Sequence, residues 1–219
     1  MRITGNLALL GSAVLGAAQF VSGAARADVF TGTNTGPIPE APAGAPSCGV
    51  NNLGEARVVE FNVSGLTIPV FKIKLGMNLT HTWRGDLIVA LAAPGGTPSK
   101  IVFSLTGSNV PNGCGSNGTL NGLYTFTDTA TQDWWQFASG LTPPGDYLAS
   151  EPGGFNPGGA PTALSTEFRN LSPAQANGIW KLYIWDAGDQ NTGTINAATL
   201  DVDQSDVIFA DGFQTVTTP

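Results

Sequence analysis

Little in this sequence can carry a charge or move a proton at neutral pH. Only 11% of its 219 residues are Asp, Glu, Lys or Arg, histidine occurs once and cysteine twice. A Ser/His/Asp hydrolase needs an imidazole to accept the serine proton, a role open only to His81. Neither a Gly-x-Ser-x-Gly elbow nor a His-Glu-x-x-His helix is present. Two cysteines without histidine partners make no zinc site. Basic clusters are missing as well, so an acidic chain of pI about 4.4 repels phosphate backbones and nucleic acid is excluded as a partner. The one sustained apolar run, Leu7 to Ala18, falls short of the roughly 20 helical residues that cross a bilayer.

What is abundant is punctuation. Gly 29 and Pro 15 together are about a fifth of the chain, against roughly 12% in ordinary proteins. Uninterrupted helices are excluded over most of the length, and the expectation is an all-β protein. The first residues carry the marks of an export signal: Arg2, the apolar run, and the small-x-small site Ala25-Arg26-Ala27. Cleavage near Ala27 places the mature chain outside the cytoplasm, secreted or periplasmic. Losing Arg2 and Arg26 leaves seven basic against 16 acidic residues, a net charge of −9. In an oxidising compartment Cys48 and Cys114 are the natural pair for a disulfide, two separate thiols being the alternative.

Residues 28–54 are rich in Pro, Gly, Ala and Thr, with Pro37, Pro39, Pro42 and Pro46 spaced against both helix and ladder; they read as a leader. A sandwich is expected over 55–204 and a tail over 205–219. Val58, Val59, Phe61 and Val63 suggest a first strand, and Ile68 to Thr82 a long strand bent at Pro69. Phe71, Ile73, Leu75 and Met77 alternate before Arg84-Gly85-Asp86, and Leu87, Val89 and Leu91 after it, so two strands meet at a polar corner. Gly178 to Trp185 alternates with Trp180, Leu182 and Ile184 on one side. Ser172-Pro173 opens one helical turn. Eight to ten short strands without βαβ spacing give an antiparallel, jelly-roll-like β-sandwich.

Three separated blocks also carry a resemblance. His81-Thr82-Trp83-Arg84-Gly85-Asp86-Leu87 with Pro94-Gly95-Gly96-Thr97, then Asn177 to Leu182, then Trp185-Asp186 with Asp189, Gly193-Thr194-Ile195-Asn196 and Leu200, resemble the P domain (Homo B domain) of subtilisin-like proprotein convertases. The likeness covers Ala56 to Asp203; Ala198 stands where that family usually has tryptophan. The resemblance implies a non-catalytic sandwich that packs beside a protease. A subtilisin-like catalytic domain does not fit in residues 28–54, so the module is expected to act by protein contact, with a secreted protease the first candidate partner. It also implies calcium held by acidic loops, with Asp86, Asp128, Asp186 and Asp189 as ligands, since Ca²⁺ takes six to eight oxygens; turn formation is the plainer role for the same residues. Membership in a serine endopeptidase is the competing reading.

Trp134-Trp135 suggests a third reading, carbohydrate stacking, although neighbours on a strand face opposite ways and at most one of them is core. Arg84-Gly85-Asp86 is expected to form a strand corner rather than an adhesion motif. Asn62, Asn78 and Asn117 are formal glycan acceptors. The tail holds a short aromatic segment, Ile208-Phe209 to Phe213.

Overall fold

A computed structural model describes residues 27–43, 48–136, 140–150 and 161–204; the export signal and the tail read from the sequence lie outside them. The strands are β1 (Ala27–Thr31), β2 (Gly36–Pro37), β3 (Arg57–Val63), β4 (Lys72–His81), β5 (Leu87–Ala92), β6 (Ser99–Ser104), β7 (Leu120–Phe126), β8 (Gln132–Asp133), β9 (Gly145–Ser150), β10 (Pro161–Thr162), β11 (Gly178–Asp186) and β12 (Gly193–Asp203), with one short helix, α1 (Pro173–Ala176). They form two facing sheets, mostly antiparallel, that make a sandwich. One runs β1-β12-β4-β7-β9 and the other β9-β6-β5-β11-β3. β9 belongs to both, pairing in parallel with β7 through Gly145 to Tyr147 and with β6 at Ser150.

Period-2 alternation builds the core. Ile73, Leu75, Met77 and Leu79 of β4 face Val59, Phe61, Leu87, Val89, Leu91, Trp180, Leu182 and Ile184 of the other sheet, all at most 1% exposed. Trp134 is the hub of the aromatic part: its ring centroid lies 4.7 Å from Phe103, 5.0 Å from Tyr147, 5.1 Å from Phe126 and 5.5 Å from Tyr124. Its indole N–H reaches Thr106 Oγ1 at 2.9 Å, so burying this ring strands no donor. α1 opens as its sequence predicts, the Ser172 N–H donating to Gln175 Oε1 at 3.1 Å. Its Ala176 carbonyl then accepts from Trp180 Nε1 at 2.8 Å, tying the turn to β11.

Two segments differ from the sequence reading. The leader is not free of ladder structure, because its first four residues, Asp28 to Thr31, join Ala27 in β1, paired from Ala27↔Asp203 to Thr31↔Thr199. β4 starts at Lys72 rather than Ile68. Before it, the N–H groups of Thr67 and Ile68 turn to Gln204 Oε1 at 2.8 and 3.3 Å, so Pro69 sits in a loop where its missing donor costs nothing.

Cys48 and Cys114 are joined in a disulfide. The bridge holds the 48–54 loop over the outer side of β5, where Val50, Leu53 and Trp185 cover Ile88, Leu105 and Ala187. Backbone bonds continue the clamp: Gly49 N–H to the Ala187 carbonyl at 3.1 Å and Gly54 N–H to the Asp186 carbonyl at 2.9 Å. The cysteines are 66 positions apart, for which chain entropy gives roughly 4 kcal/mol of stabilisation. The Cys48→Ser/Cys114→Ser protein is therefore expected to unfold on the order of 10 °C lower in a calorimetric scan, with early loss of amide protection at Gly49 and Gly54.

Candidate functional site

The two sheets are clasped at one end by ionisable groups with almost no access to water. β4 ends in His81, and the helical turn Arg84–Asp86 follows it. β11 ends in Asp186, directly opposite Leu87 of β5. His81, Arg84, Asp86 and Asp186 are each at most 2% exposed. His81 Nε2 lies 3.0 Å from Asp186 Oδ2, so this N–H donates across the gap between the sheets. His81 Nδ1 lies 3.1 Å from Trp83 N and 2.8 Å from Trp83 O; a neutral ring accepts there and an imidazolium donates. Asp186 Oδ1 accepts from the Gly188 N–H at 3.0 Å, and Asp86 Oδ2 from Asn191 Nδ2 at 2.9 Å. Asp86 Oδ1 is buried without a partner.

Burial, and next the nearby Asp186 carboxylate, push the Asp86 carboxyl up to about 7. Glycines let the covering loop come this close. A Cβ on Gly188 would meet Asp86 Oδ2 at 2.4 Å, and one on Gly193 would run into the His81 ring. On the other flank Gly85 backs directly onto the Gly115 backbone, while Arg84 N–H and Gly85 N–H bond the Gly118 and Ser116 carbonyls. Arg84 and Asp86 are each 0% exposed, so the tripeptide is a covered corner, unavailable to an adhesion receptor. The Arg84 guanidinium lies over Trp134 at 5.5 Å and donates through Nη1 to Thr142 Oγ1 at 3.1 Å. Its Nε and Nη2 have no partner, and desolvation lowers its pKa to about 10.

Of the four aspartates expected to share a cation, the structure brings together Asp86 and Asp186, with Asp189 near enough to act on Asp86 through its charge. Asp128 is elsewhere, its Oδ1 accepting from the Ser165 N–H at 3.1 Å. Three of the four oxygens of Asp86 and Asp186 already accept N–H bonds, and among the described residues no three acidic, histidine or cysteine side chains gather to hold a metal. This donor set does not fit the six to eight oxygens of a Ca²⁺ site. Trp134 is 0% exposed and so is unavailable as a ligand contact. Trp135 is half-buried, its N–H bonded to Asp133 Oδ1 at 2.9 Å. The two sit in a helical turn, not on a strand. Asn62, Asn78 and Asn117 are exposed.

No protein-family model matches the chain, and no curated protein matches it. Solved structures that match include the serine protease of Aeromonas sobria, alone and in complex with its chaperone, each at 14% identity and a TM-score of 0.37. Each alignment covers 83% of this chain and 26% of that one, so the chain spans about a quarter of the protease's length.

The clasp has a pH signature. Asp86 keeps its proton up to about pH 7 in the folded chain, whereas an unfolded aspartyl loses it near 4. The raised value means that its stabilising contribution is complete below pH 4 and lost as pH rises toward 7. Denaturant titrations from pH 4 to 8 should show this decline, at up to about 1.4 kcal/mol per pH unit, and Asp86→Asn should flatten it. Calcium added to the EGTA-treated protein should leave the melting temperature unchanged.

Proposed function

We propose that this chain is an exported, non-catalytic β-sandwich module of the P-domain kind that works by docking on a protein, a secreted serine protease being the first candidate. The observation that carries the reading is the state of its single imidazole. His81 bonds Asp186 through one nitrogen and the Trp83 backbone through the other, inside a clasp between sheets. A triad histidine must instead present one nitrogen to a nucleophile beside a substrate cleft. The three sequence blocks that resemble P domains supply the rest: the corner, the β11 run and the start of β12 are the elements that build the clasp.

The outer face of β11 supports protein contact. Tyr183 and Trp185 stack at 5.4 Å with 10° between their planes, and Ile179 is 41% exposed on the same side of the strand. Lys181 lies between them with Glu60 at 3.7 Å. Aromatic anchors with an apolar neighbour and charges alongside are the composition of an interface centre and its rim.

Affinity capture from culture medium, with Tyr183→Ala/Trp185→Ala as control, tests the reading. Wild type is expected to retain a subtilisin-like protease and the double variant to lose it at least tenfold, while the purified chain gives no band on a casein zymogram. A caseinolytic band abolished by His81→Gln would overturn the proposal and favour the endopeptidase reading.

A further inference from the structure

A cleft of about 680 Å³ opens beside the clasp, at the end of the β12-β4-β7 sheet. Its volume falls within the roughly 300–1,000 Å³ of small-molecule sites. Thr194, Thr80 and Asn121 form one cross-strand row along its floor, in the registers Thr194↔Thr80 and Thr80↔Asn121. Thr82, Thr119 and Thr192 line the same space. Among the described residues no hydrogen bond engages the side chains of Thr119, Asn121, Thr192 or Thr194. Along β12, β4 and β7 the floor continues onto the open face of the sheet without a charge. On these three strands the next row is Ala197, Asn78 and Leu123, and the one after is Thr199, Gly76 and Thr125, before Asp201↔Lys74; Asp146 of β9 stands beside Thr125 at the flank. In a chain of formal net charge −7, three successive rows of neutral side chains make a distinct surface.

The chemistry narrows what fits. An anion is excluded, because no lysine or arginine lines the cleft and Glu40 stands at its rim. A peptide adding as a strand is excluded too: β4 has β12 on one side and β7 on the other, so no free ladder edge faces the cleft. A fully apolar ligand would leave the hydroxyls unpaired, at about 1–3 kcal/mol for each buried group. What remains is a neutral ligand that donates and accepts hydrogen bonds over its whole length. Threonine hydroxyls do both, and a side-chain amide offers an acceptor and donors side by side, matching adjacent hydroxyls on a sugar ring. Leu141, 54% exposed at the rim, gives the C–H face of a ring an apolar support.

We infer that this cleft and the neutral rows beyond it bind a neutral oligosaccharide or polysaccharide strand, with Asn121, Thr80 and Thr194 at the centre. The site is separate from Trp135 and from the β11 face, so its fate does not decide the protein-docking proposal. The test is calorimetry and immobilised-polymer retention with neutral glucan, xylan, mannan and chitin oligomers, beside a sulfated glycan and a denatured casein digest. At least one neutral class is expected to bind. Asn121→Ala/Thr194→Ala should weaken it about tenfold, near 1.4 kcal/mol, at unchanged melting temperature, and Trp135→Ala should leave it intact. If the double variant fails to fold, Leu141→Arg at the exposed rim should block the same binding. Four outcomes would overturn the inference: no neutral class retained, binding that survives the cleft variants, binding lost with Trp135→Ala, or binding confined to the sulfated glycan or the casein digest.

Discussion

Two carboxyl groups within one water-free corner set the terms for this end of the molecule. Like charges at short range in a low-dielectric site cannot both ionise cheaply, and here the conflict is met by retaining a proton on Asp86 and surrounding Asp186 with N–H donors. Those donors come from β4 and from the loop after β11, while Asn191, on the approach to β12, donates to Asp86. The facing sheets are thereby fixed to each other by directional bonds as well as by apolar packing, which is directionless. Removing one member leaves the others buried and unmet, the costly case for interior polar groups.

The surrounding architecture keeps water from that corner. Gly188 and Gly193 let the loop press onto the carboxylate and the imidazole, Gly85 and Gly115 let two backbones touch, and the disulfide holds the 48–54 loop beside Asp186. Arg84 is enclosed by the same covering. It remains protonated at neutral pH despite the desolvation that lowers its pKa, helped by the Trp134 ring beneath it.

The two-sheet fold was legible because β-strand alternation is local: Ile73 to Met77, Leu87 to Leu91 and Trp180 to Ile184 can each be sorted into inner and outer faces without knowing their partners. The capping turn at Ser172 was legible for the same reason. Long-range substitutions for ladder bonds were not. Gln204 drawing Thr67 and Ile68 away from a strand, or Ala27–Thr31 finding β12, depends on residues more than a hundred positions away. At the site, Asp86, Asp186 and Asp189 could be picked out by their type, but type does not reveal that N–H donors fill their oxygens or that Asp128 belongs to Ser165. Trp134 was misleading in the same way, because a tryptophan beside another says nothing about which one four aromatic rings enclose. The closest available signal for the clasp was the glycines interleaved with acids at Gly188 and Gly193, which mark a loop that must approach something closely.

Sheet order also has a kinetic meaning. The first described strand pairs with the last, Ala27 against Asp203, so that edge has no partner until residues 199–203 are available. Contacts separated this far along a chain form late and slowly. A chain emerging from the ribosome therefore carries Ala27–Thr31 as an unpaired strand until residues 199–203 have been made, and the sheet is closed at that edge last.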